Sequence, residues 1–207
     1  MVHFEMLKTH NSCIIFCKFK RQRGDRVADL YISWADYHEK IEQLALNIYQ
    51  SGWQFNQIVC LAKGGLRVGD ILSRLFNVPL AILSTSSYGG VNNQVRGSIT
   101  ISEHLSKTTT NLGSHVLLAD DLVDSGVTLQ KVIAWLDRRY GFYIEDLRSA
   151  VIWYKQCSVI KPDYYVDYLA DNPWIHQPFE KYEQVSVAEL SNVRAQILLS
   201  SEPSQNG

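Results

Sequence analysis

Short unbroken apolar runs, IVCLA (58–62), PLAILS (79–84), HVLLA (115–119), SAVIWY (149–154) and YYVDYL (164–169), alternate with stretches of helical period. A run of five or six apolar residues is too short for a buried helix and suits a strand covered on both faces. The intervening segments supply the cover. In SWADYHEKIEQLALNIYQSG, Ser33 and Asp36 form a capping pair, Ile41, Leu44, Ala45 and Ile48 follow the helical period, and Gly52 ends the helix. A second amphipathic helix runs through Leu72 and Phe76, a third spans about Val127 to Tyr140, and a last one is capped by Ser186 with Glu189. Strands alternating with helices predict an α/β fold, a doubly wound and mainly parallel sheet flanked by helices.

The 207 residues, 46% of them hydrophobic, suit one core-bearing domain. We expect an N-terminal arm over 1–28, the domain over 29–200 and a polar tail over 201–207. Twenty basic against twenty-one acidic side chains leave a net charge of -1, so no overall basic field draws a nucleic acid, and any polyanion must be gripped locally. Cys13, Cys17, Cys60 and Cys157 show no disulfide or finger spacing, which predicts reduced thiols and a cytoplasmic protein. No apolar run approaches the length of a membrane span. The segment from Thr85 to Thr110, rich in Ser, Thr, Gly and Asn, is expected to be a mobile loop.

Chemistry concentrates in VLLADDLVDSGVTL (116–129). In a parallel sheet, ligands bind beyond the carboxyl ends of the strands, and that is where Asp120 and Asp121 emerge. The following Asp124-Ser125-Gly126-Val127-Thr128 leads into a helix, and the free N–H groups of a helix start cradle a phosphate. Carboxylates beside such a cradle need hydroxyls or a divalent cation to face. A sugar phosphate meets both needs. The chain carries neither a Walker A loop nor a GxGxxG turn.

This stretch resembles the 5-phosphoribosyl-1-diphosphate (PRPP) signature of the type I phosphoribosyltransferases, and the likeness extends over roughly Tyr31 to Glu180. The resemblance implies the fold of that family, with a small hood segment and a flexible lid loop. It implies that Asp120 and Asp121 take the ribose hydroxyls, directly or through Mg2+, and that Ser125, Gly126, Val127 and Thr128 hold the 5-phosphate. LAKGG (61–65) stands where the family's diphosphate loop does, so Lys63, Gly64 and Gly65 would grip diphosphate, with a cis peptide at Ala62–Lys63. SSYGGVNNQVRG (86–97) resembles the lid, and there Ser87 and Tyr88 are favoured over Arg96.

The segment from Val151 to Glu180 is similar to the purine pocket of bacterial xanthine-guanine phosphoribosyltransferases. Lys155 would donate to the purine 6-oxo group, Trp174 would stack on the base and the Ile175 carbonyl would accept from a 2-amino group. Two departures stand out: Pro173 precedes the tryptophan, and Phe179 replaces a second tryptophan. His176 is read as a surface residue.

The expected function is conversion of an oxopurine (guanine, xanthine or hypoxanthine) and PRPP to the nucleoside 5'-monophosphate and diphosphate in purine salvage. Asp124, facing N7, and Lys63 would be the catalytic residues and Mg2+ the cofactor. The family forms homodimers and homotetramers, which the resemblance extends to this chain. The alternatives are a PRPP-binding regulator on the same fold, or the same chemistry on another base.

Overall fold

The structure is a computed structural model that describes residues 29–87 and 99–192, with the backbone of four short strands nearer the N-terminus. Those strands are β1 (His3–Glu5), β2 (Lys8–Thr9), β3 (Ser12–Cys13) and β4 (Phe16–Lys18); β1 pairs with β4 and β2 with β3, both antiparallel. The domain then runs β5 (Leu30–Tyr31), α1 (Trp34–Gln50), β6 (Gln57–Ala62), α2 (Gly65–Phe76), β7 (Leu80–Ser87), β8 (Ile99–Ile101), β9 (His115–Ala119), β10 (Leu122–Val123), α3 (Val127–Tyr140), β11 (Asp146–Lys155), β12 (Tyr164–Leu169), β13 (Ile175–His176) and α4 (Lys181–Gln184).

Strands β8, β7, β6, β9 and β11 lie side by side in that order, with β12 on the far edge of β11. Every pairing in this sheet is parallel except β7 with β8. Side-chain alternation divides each central strand between two cores. Ile58, Cys60, Leu117, Ala119 and Ile152 face Tyr37, Ile41, Leu44 and Ile48 of α1 and Val68 and Leu72 of α2. Val59, Leu61, Val116, Leu118 and Val151 face Leu129, Val132, Trp135 and Leu136 of α3. The sheet is therefore covered on both faces, which is why its strands read as continuous apolar runs.

The expected capping pair is a full capping box: Asp36 N–H donates to Ser33 Oγ at 3.1 Å and Ser33 N–H to Asp36 Oδ2 at 3.1 Å. Ser186 and Glu189 form the same reciprocal pair ahead of helical residues 187–192. The expected loop over 85–110 is narrower at both ends than its composition suggests. β7 continues to Ser87, β8 returns antiparallel to it, Ile82 bridges Ser106, and Leu105 is buried. Thr85, Ser86 and Ser87 end β7 and Thr100 sits on β8, so pairing within the sheet overrides composition there.

Candidate active site

The register explains how the acids reach the cleft. β9 pairs with β11 up to Ala119↔Ala150, and β10 resumes on the same edge with Leu122↔Trp153, the same offset, so no residue is gained or lost between them. Asp120 and Asp121 fill the gap. The strand stays anchored through them, since Asp120 N–H donates to Ala150 O at 3.1 Å, and Ile152 and Trp153 N–H donate to Asp121 O at 3.0 and 3.1 Å. Their side chains enter a cleft of about 650 Å³ lined by Lys63, Gly64, Arg67, Asp124, Gln177 and Glu180 among others.

Gly64 and Gly65 close the opposite wall, and the acids account for both. A Cβ on Gly64 would run into the Asp121 carboxylate, and one on Gly65 would lie 2.7 Å from Ala119 O and 2.9 Å from Asp120 Cα. Neither contact is tolerable. The Ala62–Lys63 peptide is cis, at the bond implied by resemblance.

Two helices start at this cleft, α2 after Gly64 and α3 after Gly126, and neither has a side-chain cap. The capped α1 makes the contrast: at the cleft the helix starts carry no side-chain cap, and Gly65 N–H of α2 turns to the Asp120 carboxyl instead. Ser125, Gly126 and Thr128 line the cleft, whereas Val127 contributes through its backbone, its N–H lying 3.5 Å from Ser125 Oγ. Gly126 has φ 77, and a Cβ there would meet Ser158 Oγ and, at 2.9 Å, Ile160 Cγ2. The glycine is thus required by the loop packed behind it as well as by its own backbone.

Extending the β10–β11 register by one residue from Val123↔Tyr154 sets Asp124 opposite Lys155. The two form an ion pair at 3.2 Å with both side chains largely buried. Burial pushes the Asp124 carboxyl above its usual value and the Lys155 ammonium opposes that rise. Asp124 Oδ2 is buried without a protein partner. Cys157 follows in the turn beyond β11, half-buried, with Sγ 3.7 Å from Asp124 Oδ1.

Burial also raises Asp120 well above the ordinary aspartate range, with the charge of Asp121 adding to it. Asp121 is raised by burial too, but less freely, because Gln177 Nε2 donates to its Oδ2 at 2.6 Å and favours the ionised form. Glu180, on the cleft wall, is pushed up to about 7, mainly by burial.

Trp174 and Ile175, expected on the base side, lie just before and within β13. Parallel pairing with β5 uses the carbonyls of Trp174 and His176, which accept from Leu30 and Ile32 N–H at 2.7 and 3.0 Å. The Ile175 carbonyl therefore lies on the other edge, while its side chain is buried. Trp174 is half-buried, its ring 6.0 Å from His176. His176 is more than a surface residue: it stacks on Tyr31 at 4.3 Å and meets Asp29 Oδ2 at 3.1 Å, pinning β13 to β5. Of the residues expected in a lid, Ser87 ends β7 with its side chain outside the described residues, where Tyr88 and Arg96 also fall.

Several cleft residues were missed in the sequence, Arg67, Gln177 and Glu180 among them. Arg67 lies one helical turn past Lys63 with its guanidinium 4.1 Å from the Phe179 ring centre, and Gln177 and Glu180 reach the cleft from the hood. A KxxxR spacing across a helix start was the only available signal for Arg67.

Residues 33–184 match the model of the phosphoribosyl transferase domain. The chain belongs to that family. Among curated relatives, this phosphoribosyltransferase is 26% identical over 155 residues to a xanthine-guanine phosphoribosyltransferase of Idiomarina loihiensis, covering 74% of this chain and 88% of that one. It is 33% identical over 113 residues to a hypoxanthine phosphoribosyltransferase of Haemophilus influenzae, covering 50% and 60%. Its fold is similar to that of the xanthine-guanine-hypoxanthine phosphoribosyltransferase of Helicobacter pylori, at TM-score 0.63 and 20% identity, over 81% of this chain and 99% of that one. It is also similar to a purine phosphoribosyltransferase of Pyrococcus horikoshii, at TM-score 0.60 and 24% identity, over 73% and 93%. No helix among the described residues is long and apolar enough to cross a membrane.

Proposed function

We propose that this phosphoribosyltransferase joins an oxopurine to the ribose of PRPP, releasing diphosphate. The observation that carries the reading is the pair Asp120 and Asp121 on the cleft floor between two uncapped helix starts, at Gly64 and Gly126. Two anion cradles flanking a hydroxyl-binding pair match a sugar with phosphate at one end and diphosphate at the other. The names of the curated relatives, xanthine-guanine and hypoxanthine phosphoribosyltransferases, point to purines.

The donor set fits Mg2+. Two adjacent carboxylates offer only oxygen, and no group of three or more His, Cys, Asp or Glu side chains forms a metal cage among the described residues. Magnesium is commonly held by one or two carboxylates together with substrate oxygens and water. Bound by Asp120 and Asp121 with PRPP, it would neutralise charge on the departing diphosphate.

The chain's own groups carry the remaining work. Lys63 and Arg67 bring positive charge to the diphosphate end, and the α3 start with Ser125 and Thr128 holds the 5-phosphate. Binding energy from these non-reacting ends fixes C1 of the ribose against the base. The C1–O bond to diphosphate breaks as the C1–N bond to the purine forms, through a ring carrying oxocarbenium-like charge. Lys155 donates to the 6-oxo group, and the unpartnered Asp124 Oδ2 accepts the ring N–H at N7. Trp174 and the Ile175 carbonyl complete the base side, and Ser87 and Tyr88 belong to a lid that excludes water. We assign the protein to the cytoplasm as a homo-oligomer, in line with the family.

The test is diphosphate release from PRPP and Mg2+ with guanine, hypoxanthine, xanthine and adenine in turn. At least one oxopurine supports turnover, and adenine is poorer by about four orders of magnitude, because its 6-amino donor meets the Lys155 donor in a buried site. Adenine matching the best oxopurine removes Lys155 from this role.

A further inference from the structure

Among the acids and amides that line the cleft, one side-chain hydrogen bond crosses between its two halves: Gln177 Nε2 donates to Asp121 Oδ2 at 2.6 Å, across 56 residues of sequence. Asp120 is oriented locally, its Oδ1 accepting from Asp121 N–H at 3.0 Å. Asp121 also draws on local backbone N–H groups, its own and that of Leu122. Its carboxylate overhangs Gly64, and from the hood it is Gln177 that reaches it.

Gln177 is itself firmly held. It is 7% exposed, it follows directly on the β13 pairing to β5, and its carbonyl accepts from Glu180 N–H at 3.0 Å across Pro178. The orientation of its amide follows from chemistry, since a flipped amide would set oxygen against oxygen. Its Oε1 is buried without a partner, an arrangement that costs folding free energy, so stability gives little reason for a glutamine there. Its one side-chain bond goes to a ribose-side acid, and its own segment carries Trp174 and Ile175 to the base.

We propose that Gln177 is a positioning residue that sets the Asp121 carboxylate for PRPP and ties the base-side hood to the ribose-side floor. The inference rests on the reading of the cleft as a PRPP site. Partners that orient a ligand-binding carboxylate typically change affinity by about 10- to 100-fold when removed. The effect should fall on PRPP rather than on the base, because the bond made is to the ribose side.

The experiment compares the full chain with Gln177→Met and Gln177→Glu by calorimetric Mg-PRPP binding, steady-state kinetics and thermal unfolding. Gln177→Met is expected to weaken PRPP binding and raise its KM about 10- to 100-fold, to leave the oxopurine KM within about threefold at saturating PRPP, and to keep Tm within a few degrees. Gln177→Glu keeps the shape but once ionised can only accept, so assayed above neutral pH it opposes Asp121 and must be worse than Met. A packing role predicts the reverse order, because Glu is the closer isostere. Met leaving PRPP affinity unchanged, Glu outperforming Met, or a loss confined to the base KM overturns the proposal. Should Met fail to fold, near-native PRPP affinity in Glu overturns it alone. An unmodified chain that binds no Mg-PRPP sinks the PRPP site and this inference together, whereas binding that Met leaves intact sinks this inference only.

Discussion

At the floor of the cleft, Asp120 and Asp121 sit inside an unbroken parallel register, backed by glycines that touch their backbone or carboxylates. The hood differs: Gln177, Phe179 and Glu180 follow a two-residue strand pairing and line the cleft from outside the main sheet. Positions defined by backbone contacts cannot relax without moving a strand, and positions defined by side chains can. The floor should therefore be brittle and the hood tolerant.

The largest effect on folding is expected where the floor buries charge. Lys155→Met leaves Asp124 buried and unpaired, and breaking such a pair costs about 3–5 kcal/mol. Adding Asp124→Asn should restore much of that loss, so a double-mutant cycle in urea unfolding ought to show strong coupling. Additive losses would mean that the pair contributes nothing in solution. Gly65→Ala comes next. Overpacking against Ala119 O and Asp120 Cα should cost ~1–3 kcal/mol, and misplacing the acids should lower kcat/KM for PRPP about 100-fold. Phe179→Leu in the hood should change stability by less than ~1.5 kcal/mol. Equal losses from the two would erase the contrast between floor and hood.

A third prediction reverses the sign. Because burial and the neighbouring Asp121 raise the Asp120 carboxyl, the folded chain binds its proton more tightly than the unfolded chain does. Stability from this group is present at low pH and is lost as pH rises through the raised value. Asp120→Asn escapes that loss, so at neutral pH it should unfold about 2–4 °C higher than the unmodified protein, with the gap closing near pH 4, while Mg-PRPP use collapses. A variant that is less stable at neutral pH would show that the acid supports the fold rather than the ligand.

The same division governs what could be read from the sequence. Asp120, Asp121, Ser125, Gly126, Gly64 and Gly65 follow from a strand, a turn and a helix start, all signalled within a few residues. Asp124 and Lys155 were each assigned to the base, yet their ion pair is a product of strand register, and a register between segments 31 residues apart carries no local mark. Arg67 looks like any helix-surface cation until Phe179 packs against it. Gln177 and Glu180 owe their place to the β5–β13 pairing, too short to leave a periodicity of its own.

The smallest expected effect belongs to the hood and bears on that tolerance. Glu180 is pushed up to about 7, first by burial, with Glu183 and Asp121 adding to the rise and the Gln177 backbone and His176 opposing it. With the folded value above the ordinary glutamate value, the protonated form is favoured in the fold, so its stabilising contribution is lost as pH climbs from about 4.5 to about 7. Glu180→Gln should flatten the Tm-against-pH curve in that window and change little below it. The same titration places a negative charge on the cleft wall above neutral pH, facing a polyanionic substrate. One partly solvated charge at several ångströms is worth a factor of about two to five, so KM for PRPP in the unmodified protein should rise by roughly that factor between pH 6 and pH 8, and the Gln variant should lose this component. Parallel pH profiles for the two proteins would show that Glu180 is already charged at pH 6, and that the hood is open enough to solvate it.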